Sequence, residues 1–269
     1  MNKIAVLVTG QLRDYQVNVL NHIEHLIKPN NADVFVYACT RNTMHSLGPN
    51  VTQSYITTNN IEKDSLIKEC KELYGGFLKE IEINENEKNP HNLYPPKTLG
   101  HYREGMLNQL RNVKRGYEMC KKYGQDKGFE YDLIIRLRPD NCVFMNKVEL
   151  LNFDVAKNTI YSSMFYTGHR DPCFFSMGEP ESFFKYCSYE HLINEDPNRT
   201  DDNFLSFEAG IEQDLRSKKV NHYYIKGICQ PFYDYYKKEI NEFPYRDESK
   251  FLIHHDGSFI DQKNLTIKR

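Results

Sequence analysis

Near its amino terminus the chain reads Ile4-Ala5-Val6-Leu7-Val8 and then breaks at Thr9-Gly10. A strand with one wet face alternates apolar and polar side chains, whereas an unbroken apolar run has to be covered on both faces. Such strands lie in the middle of parallel sheets with helices on either side, and each parallel neighbour needs a crossover connection. The next segment has that form. Val17, Leu20, Ile23 and Ile27 recur at helical spacing, Pro29 and Asn30-Asn31 stop the helix, and Asp33-Val34-Phe35-Val36-Tyr37-Ala38 reads as the next strand. The chain therefore opens with a βαβ unit, whose crossover is expected to be right-handed.

The alternation continues downstream. Residues 61–74 read as a helix and 77–83 as a third strand. Met106, Leu110, Val113, Tyr117 and Cys120 place the longest helix over residues 101–123, which feeds the strand Tyr131-Asp132-Leu133-Ile134-Ile135-Arg136-Leu137-Arg138, ended by Pro139. Further strands are expected near 159–163, 173–177, 220–225 and 251–255, and helices near 180–189 and 202–218. No internal repeat or low-complexity linker divides the 269 residues, so they read as one α/β domain with a mostly parallel, Rossmann-like central sheet flanked by helices.

Composition removes several classes of function. Thirty-five Lys and Arg against 37 Asp and Glu leave a net charge of −2, so no basic field exists for a nucleic-acid backbone and no such partner is expected. Nineteen Tyr and 16 Phe are too many large aromatics for a disordered chain. No apolar run approaches the ~18 residues of a membrane span, and the chain enters its first strand without a leader-like segment. The seven cysteines are scattered and never form a CxxC pair, which suits a reducing cytoplasm, that of a host if the chain is viral. They are expected to pack as small hydrophobes. Core packing is likewise the expected role of the clustered Tyr223-Tyr224, Phe232-Tyr233 and Tyr235-Tyr236, with sugar stacking as the alternative.

The segment richest in chemistry is Arg136-Leu137-Arg138-Pro139-Asp140. Alternation along a strand gives residues 136, 138 and 140 one parity, so two guanidiniums and a carboxylate are expected to converge. Burying unpaired ions is costly, which favours the carboxyl end of the strand, where open α/β sheets bind ligands. Arg suits bidentate phosphate contact, and a carboxylate beside a diphosphate can hold Mg²⁺ or Mn²⁺. The alternative is a structural Arg-Asp pair capping the strand. At the end of the first strand, Thr9-Gly10-Gln11-Leu12-Arg13 offers a sharp turn and an arginine at a helix start, although it lacks the glycines and lysine of a dinucleotide or P-loop motif.

With these residues the chain resembles a family of glycosyltransferases found in bacteria and large DNA viruses. The resemblance rests on Gly10-Gln11-Leu12-Arg13 after the first strand, on Asp33-Val34-Phe35, on Tyr131-Asp132 leading into Arg136-Leu137-Arg138-Pro139-Asp140, on Asp171 to Gly178, and on Glu208 followed by Ile211, Leu215 and Val220. It covers residues 3–225 and implies a GT-A fold, a nucleotide-sugar donor bound by residues 1–145, a glycan or glycoconjugate acceptor met by residues 146–269, and Mn²⁺ or Mg²⁺. Thr9, Gly10, Gln11, Arg13, Arg136, Arg138 and Asp140 would bind the donor, with Asp140 and His255 at the metal. The usual Asp-x-Asp metal motif is here Arg138-Pro139-Asp140, so only its second carboxylate remains, and Arg138 is placed to neutralise the leaving diphosphate instead. Glu208, at the edge of a helix face formed by Phe204, Phe207, Ile211 and Leu215, is the expected base for the acceptor hydroxyl, with Asp171 as its rival. A nucleotidyltransferase and a nucleotide-sugar-binding protein without catalysis are the alternatives.

Overall fold

Strand β1 (Ile4–Gln11) pairs in parallel with β2 (Asp33–Cys39), in the register Val6 to Val34 and Gly10 to Ala38, as the opening pattern requires. The computed structural model describes residues 1–12, 15–39, 62–84, 100–143, 148–164, 170–188, 207–226, 228–231, 251–254 and 259–261. Helix α1 (Tyr15–His22) makes the crossover and continues through a π-helical turn at Ile23–Ile27 and a 3₁₀ turn at Lys28–Asn30, ending on Asn31 in the left-handed region. After α2 (Lys63–Tyr74), β3 (Leu78–Asn84) lies parallel to β2. Helix α3 (Gly100–Lys127) then carries the chain over to β4 (Leu133–Leu137), parallel to β1 on its other side.

The remaining elements are β5 (Asn141–Val143), β6 (Thr159–Met164), β7 (Arg170–Gly178), α4 (Pro180–Cys187), α5 (Phe207–Ser217), β8 (Asn221–Lys226), β9 (Cys229–Pro231), β10 (Phe251–His254) and β11 (Phe259–Asp261). Seven strands in the order β8-β6-β7-β4-β1-β2-β3 form the body of one sheet, and β10 and β11 extend it beside β8. Within those seven only β7 runs against the others. β5 and β9 form a separate antiparallel pair. The result is a single α/β domain with a mixed, mostly parallel sheet. Among the described residues no helix is long and apolar enough to cross a membrane.

Both faces of β1 are buried, which is why its sequence does not alternate. Val6 and Val8 join Val34, Val36, Ile135 and Leu137 on the side with Tyr15 and Val19 of α1 and Leu66 of α2. Ala5 and Leu7 join Phe35 and Ile134 on the side with α3, α4 and α5. Each large side chain buried in this way contributes about 1.5–3 kcal/mol relative to exposure. Helix α3 approaches β1 closely at Gly116, where an added Cβ would stand 3.0 Å from Thr9 Cγ2 and 3.7 Å from Leu7 Cβ.

One helix differs from its expected phase. Leu20 is 63% exposed, and the inward face of α1 is Tyr15, Asn18, Val19 and His22 instead. Two core positions are polar, so apolar spacing alone misplaced Leu20, whereas Ile27 is buried as expected and Ile23 packs against the core, beyond a wider π turn that shifts the helical phase. The aromatic expectation holds where it can be followed: Tyr224 is buried and Tyr223 stacks on Tyr161 with ring centroids 5.7 Å apart. Residues 232–236 lie outside the described residues.

Candidate functional site at the carboxyl edge of the sheet

β1 and β4 are adjacent parallel strands and therefore deliver their following turns to one edge of the sheet. At the end of β1, Gly10 has φ +134°, a conformation that side-chain-bearing residues rarely adopt. Its α-carbon lies against the other turn, such that an added Cβ would be 3.5 Å from Pro139 Cδ. The two sequence motifs thus touch. Gln11 closes β1 opposite Cys39 with its side chain outside the described part, and Arg13 lies outside the described residues.

After β4 the chain turns over Arg138-Pro139-Asp140-Asn141, closed by the Asn141 amide donating to the Arg138 carbonyl at 3.3 Å. Proline suits the second position of such a turn. Arg138 folds over it, donating from Nε to Asp140 Oδ1 at 2.8 Å and from Nη2 to Oδ2 at 2.5 Å. Both side chains are largely buried, at 13% and 7% exposure. This is a bidentate, charge-assisted pair of the kind expected from a strand cap.

Arg136 does not join that pair, contrary to the expected convergence. β4 ends at Leu137, and the turn breaks the alternation that would have kept residues 136, 138 and 140 together. Nor is Arg136 exposed: at 1% accessibility its guanidinium is enclosed on the α3 and α4 side, donating from Nη1 to Tyr186 Oη at 3.0 Å and from Nη2 to Gln109 Oε1 at 3.3 Å. Among the described residues its Nε has no partner, and neither Tyr186 nor Gln109 is an anion. Gln109 precedes Gly116 by two turns on α3, about 10 Å nearer the carboxyl edge at 1.5 Å per residue, so the guanidinium rises toward that edge. On the neighbouring strand Thr9 is also fully buried, and its Oγ1 lacks a partner. Two unsatisfied polar atoms, one of them cationic, therefore lie on the same face of adjacent strands near their carboxyl ends. Buried groups of this kind are usually hydrogen-bonded.

The turn is held from the opposite side by side chains that apolar periodicity did not select. Asn18 Nδ2 donates to the Pro139 carbonyl at 3.1 Å while Asn18 Oδ1 accepts from Cys142 Sγ at 2.9 Å. His22 Nε2 meets the Asn141 carbonyl at 2.6 Å, which makes Nε2 the protonated nitrogen and leaves the buried Nδ1 without a partner. Asn21 brackets Val143, two residues on, donating to its carbonyl at 3.0 Å and accepting from its amide at 2.7 Å. Burial pushes the His22 pKa down to about 4, against opposing contributions from the Asn141 carbonyl and the Asp140 charge, so the ring is neutral near pH 7. The available signal was the i, i+4 spacing of Asn18 and His22 on a helix that has to bury one face.

The other expected residues are reached in part. Asp171 lies in β7 opposite Ser163, and its strand extends past the carboxyl end of β4, because Phe175 is already opposite Leu137. Glu208 is in the first turn of α5, whose last turn leads into the amino end of β8; the helix therefore starts on the carboxyl-edge side. Neither side chain belongs to the described part, and His255 lies outside the described residues. Ile211 and Leu215 are buried as expected of the α5 face. The sequence reading also missed a buried polar row beside Arg136: Ser176 faces it across β7, Ser162 bonds Ser176 at 2.8 Å, and His222 Nε2 bonds Ser162 at 2.8 Å.

Among the described residues no cluster of three or more His, Cys, Asp or Glu could hold a metal ion. Among the described residues the turn offers one carboxylate, that of Asp140, and both its oxygens accept from Arg138. The thiols of Cys70, Cys142 and Cys187 are buried and free, and burial raises each to about 12, which makes them unreactive at neutral pH. A separate cleft of about 750 Å³ opens along edge strand β3, lined by residues that include Lys71, Lys79, Glu82, Arg115 and Lys122, and shares no residue with the carboxyl-edge site. No known family model matches the chain, and no curated protein matches it.

Proposed function

We propose that this protein is a glycosyltransferase with a GT-A-like fold, moving a sugar from a nucleoside diphosphate to a hydroxyl of a glycan or glycoconjugate. The observation that carries the reading is the buried Arg136 guanidinium, which contacts no anion among the described residues, beside the Thr9 hydroxyl, partnerless among them, at the carboxyl ends of β1 and β4. In open α/β sheets that edge is where phosphorylated ligands bind. In transfer the bond from the anomeric carbon to the diphosphate oxygen breaks, the acceptor oxygen takes its place, and negative charge grows on the departing diphosphate. Arg136 and Arg138 would stabilise that charge, and pre-positioned cations in a site closed to water are effective at this task. Thr9, Gly10, Gln11 and Arg13 would line the donor pocket. Glu208, or Asp171, would accept the hydroxyl proton. A divalent ion, where one is used, would add further positive charge at the diphosphate; the roles above do not depend on it.

The test is thermal melting with UDP, GDP, CDP and dTDP, each with and without Mn²⁺. A ligand at a hundred times its Kd adds about 2.7 kcal/mol to stability, a shift of several degrees. One diphosphate is expected to raise the melting temperature of the wild type and to leave Arg136→Met unmoved. Absence of a shift with all four, in both metal conditions, overturns the reading.

A further inference from the structure

The geometry points to Asn18 and His22 of α1 as positioning residues for the Arg138–Asp140 pair, acting by gripping the backbone of the turn that carries it. Both side chains are completely buried, and both spend a core position of the helix on a hydrogen bond to that turn. Their targets, the carbonyls of Pro139 and Asn141, flank Asp140 on either side. The Pro139 carbonyl fixes the peptide unit that enters Asp140, the Asn141 amide bonded to the Arg138 carbonyl fixes the one that leaves it, and the Asn141 carbonyl fixes the unit after that, so the backbone carrying the Asp140 carboxylate is held on both sides where it meets Arg138. The thiol bond from Cys142 to Asn18 extends the grip by one residue. A turn with Pro at its second position already has one φ fixed, so two further anchors suffice to make it rigid. Had stability alone been selected, apolar side chains at 18 and 22 would serve an inward helix face better than a neutral histidine with an orphaned Nδ1. Rigid presentation of a charged pair is what a site acting by preorganised electrostatics needs.

The consequence for ligand binding rests on the glycosyltransferase reading; the consequence for the ion pair does not, and the experiment keeps the two apart. The first readout is the NMR signal of the Arg138 Nε–H, which donates to Asp140 and is assigned by its loss in Arg138→Lys. It is expected to be shifted and protected from solvent exchange in the wild type. His22→Leu should collapse it to the position of a solvated arginine, and His22→Gln, which keeps a donor near the place of Nε2, should restore it. Asn21→Ala serves as the matched control, since it removes two bonds to Val143 and none to the turn, and it should leave the signal in place. Where His22→Leu does not fold, Asn18→Ala carries the same expectation. A folded His22→Leu or Asn18→Ala protein with the Arg138 signal intact overturns the proposal. The second readout is the Kd of the stabilising nucleoside diphosphate, expected to weaken about tenfold in His22→Leu and to recover in His22→Gln, the scale of one hydrogen bond to a charged site. If the NMR signal follows the prediction while no nucleotide binds even the wild type, the donor-site reading fails and the positioning role stands.

Discussion

Thr9 shows what an unsatisfied atom at this site implies. Its side chain is completely buried on the α3 face of β1, its methyl lies near Gly116, and its hydroxyl reaches no partner. A buried hydroxyl left without a bond costs about 1–3 kcal/mol, and valine has nearly the same shape without that cost. If the hydroxyl only filled space, Thr9→Val would stabilise the protein and change nothing else. Because it adjoins the Arg136 site, the expected outcome is double: a melting temperature raised by a few degrees in the free protein, and a smaller rise on adding the nucleoside diphosphate than the wild type shows. Melting curves of both proteins with and without the ligand check it. A Thr9→Val protein that is stabilised yet equally responsive to ligand would remove Thr9 from the donor pocket.

At the scale of elements, the close approach of α3 to β1 determines where the Arg136 partner Gln109 stands. Gly116 permits that approach, and Gly116→Ala would bring a methyl to 3.0 Å from Thr9 Cγ2. Alanine is otherwise the better helix former by about 1 kcal/mol, so a destabilised Gly116→Ala, read as a lowered denaturation midpoint, would show that packing outweighs propensity. The expected loss is about 1–2 kcal/mol, the usual cost of overpacking. The elements themselves were largely legible, because β1 and β2 are buried on both faces and the long apolar period of α3 has no competing reading. The site was legible by composition but not by geometry. Arg138 and Asp140 stood out as charges after an apolar strand, yet their pairing depends on a turn that parity cannot describe, and Arg136 parted from them for the same reason. Asn18 and His22 escaped because apolar periodicity treats a polar residue on a helix as outward, and Leu20 was taken for core by that rule.

For the whole molecule, the turn that carries the candidate site is coupled to acid stability through His22. An ordinary histidine titrates near 6.5, and in the folded protein burial lowers His22 to about 4. Above pH 6.5 the ring is neutral in both states and contributes no pH dependence. As the pH falls from 6.5 toward 4 the unfolded chain takes up a proton that the native chain refuses, so stability declines across that window. Below about 4 the native ring is protonated too, and the decline from this group levels off. At 1.36 kcal/mol per pH unit the loss is on the order of 3 kcal/mol, a large part of the 5–15 kcal/mol that ordinarily holds a domain together. Urea unfolding from pH 7 to pH 4 should therefore show a falling midpoint in the wild type and a flatter profile in His22→Gln, which has no proton to gain. Carboxylates that titrate lower in this range affect both proteins alike and cancel in the comparison. Parallel profiles for the two proteins would mean that His22 is solvated and ordinary, and that the bond to the Asn141 carbonyl does not hold the turn.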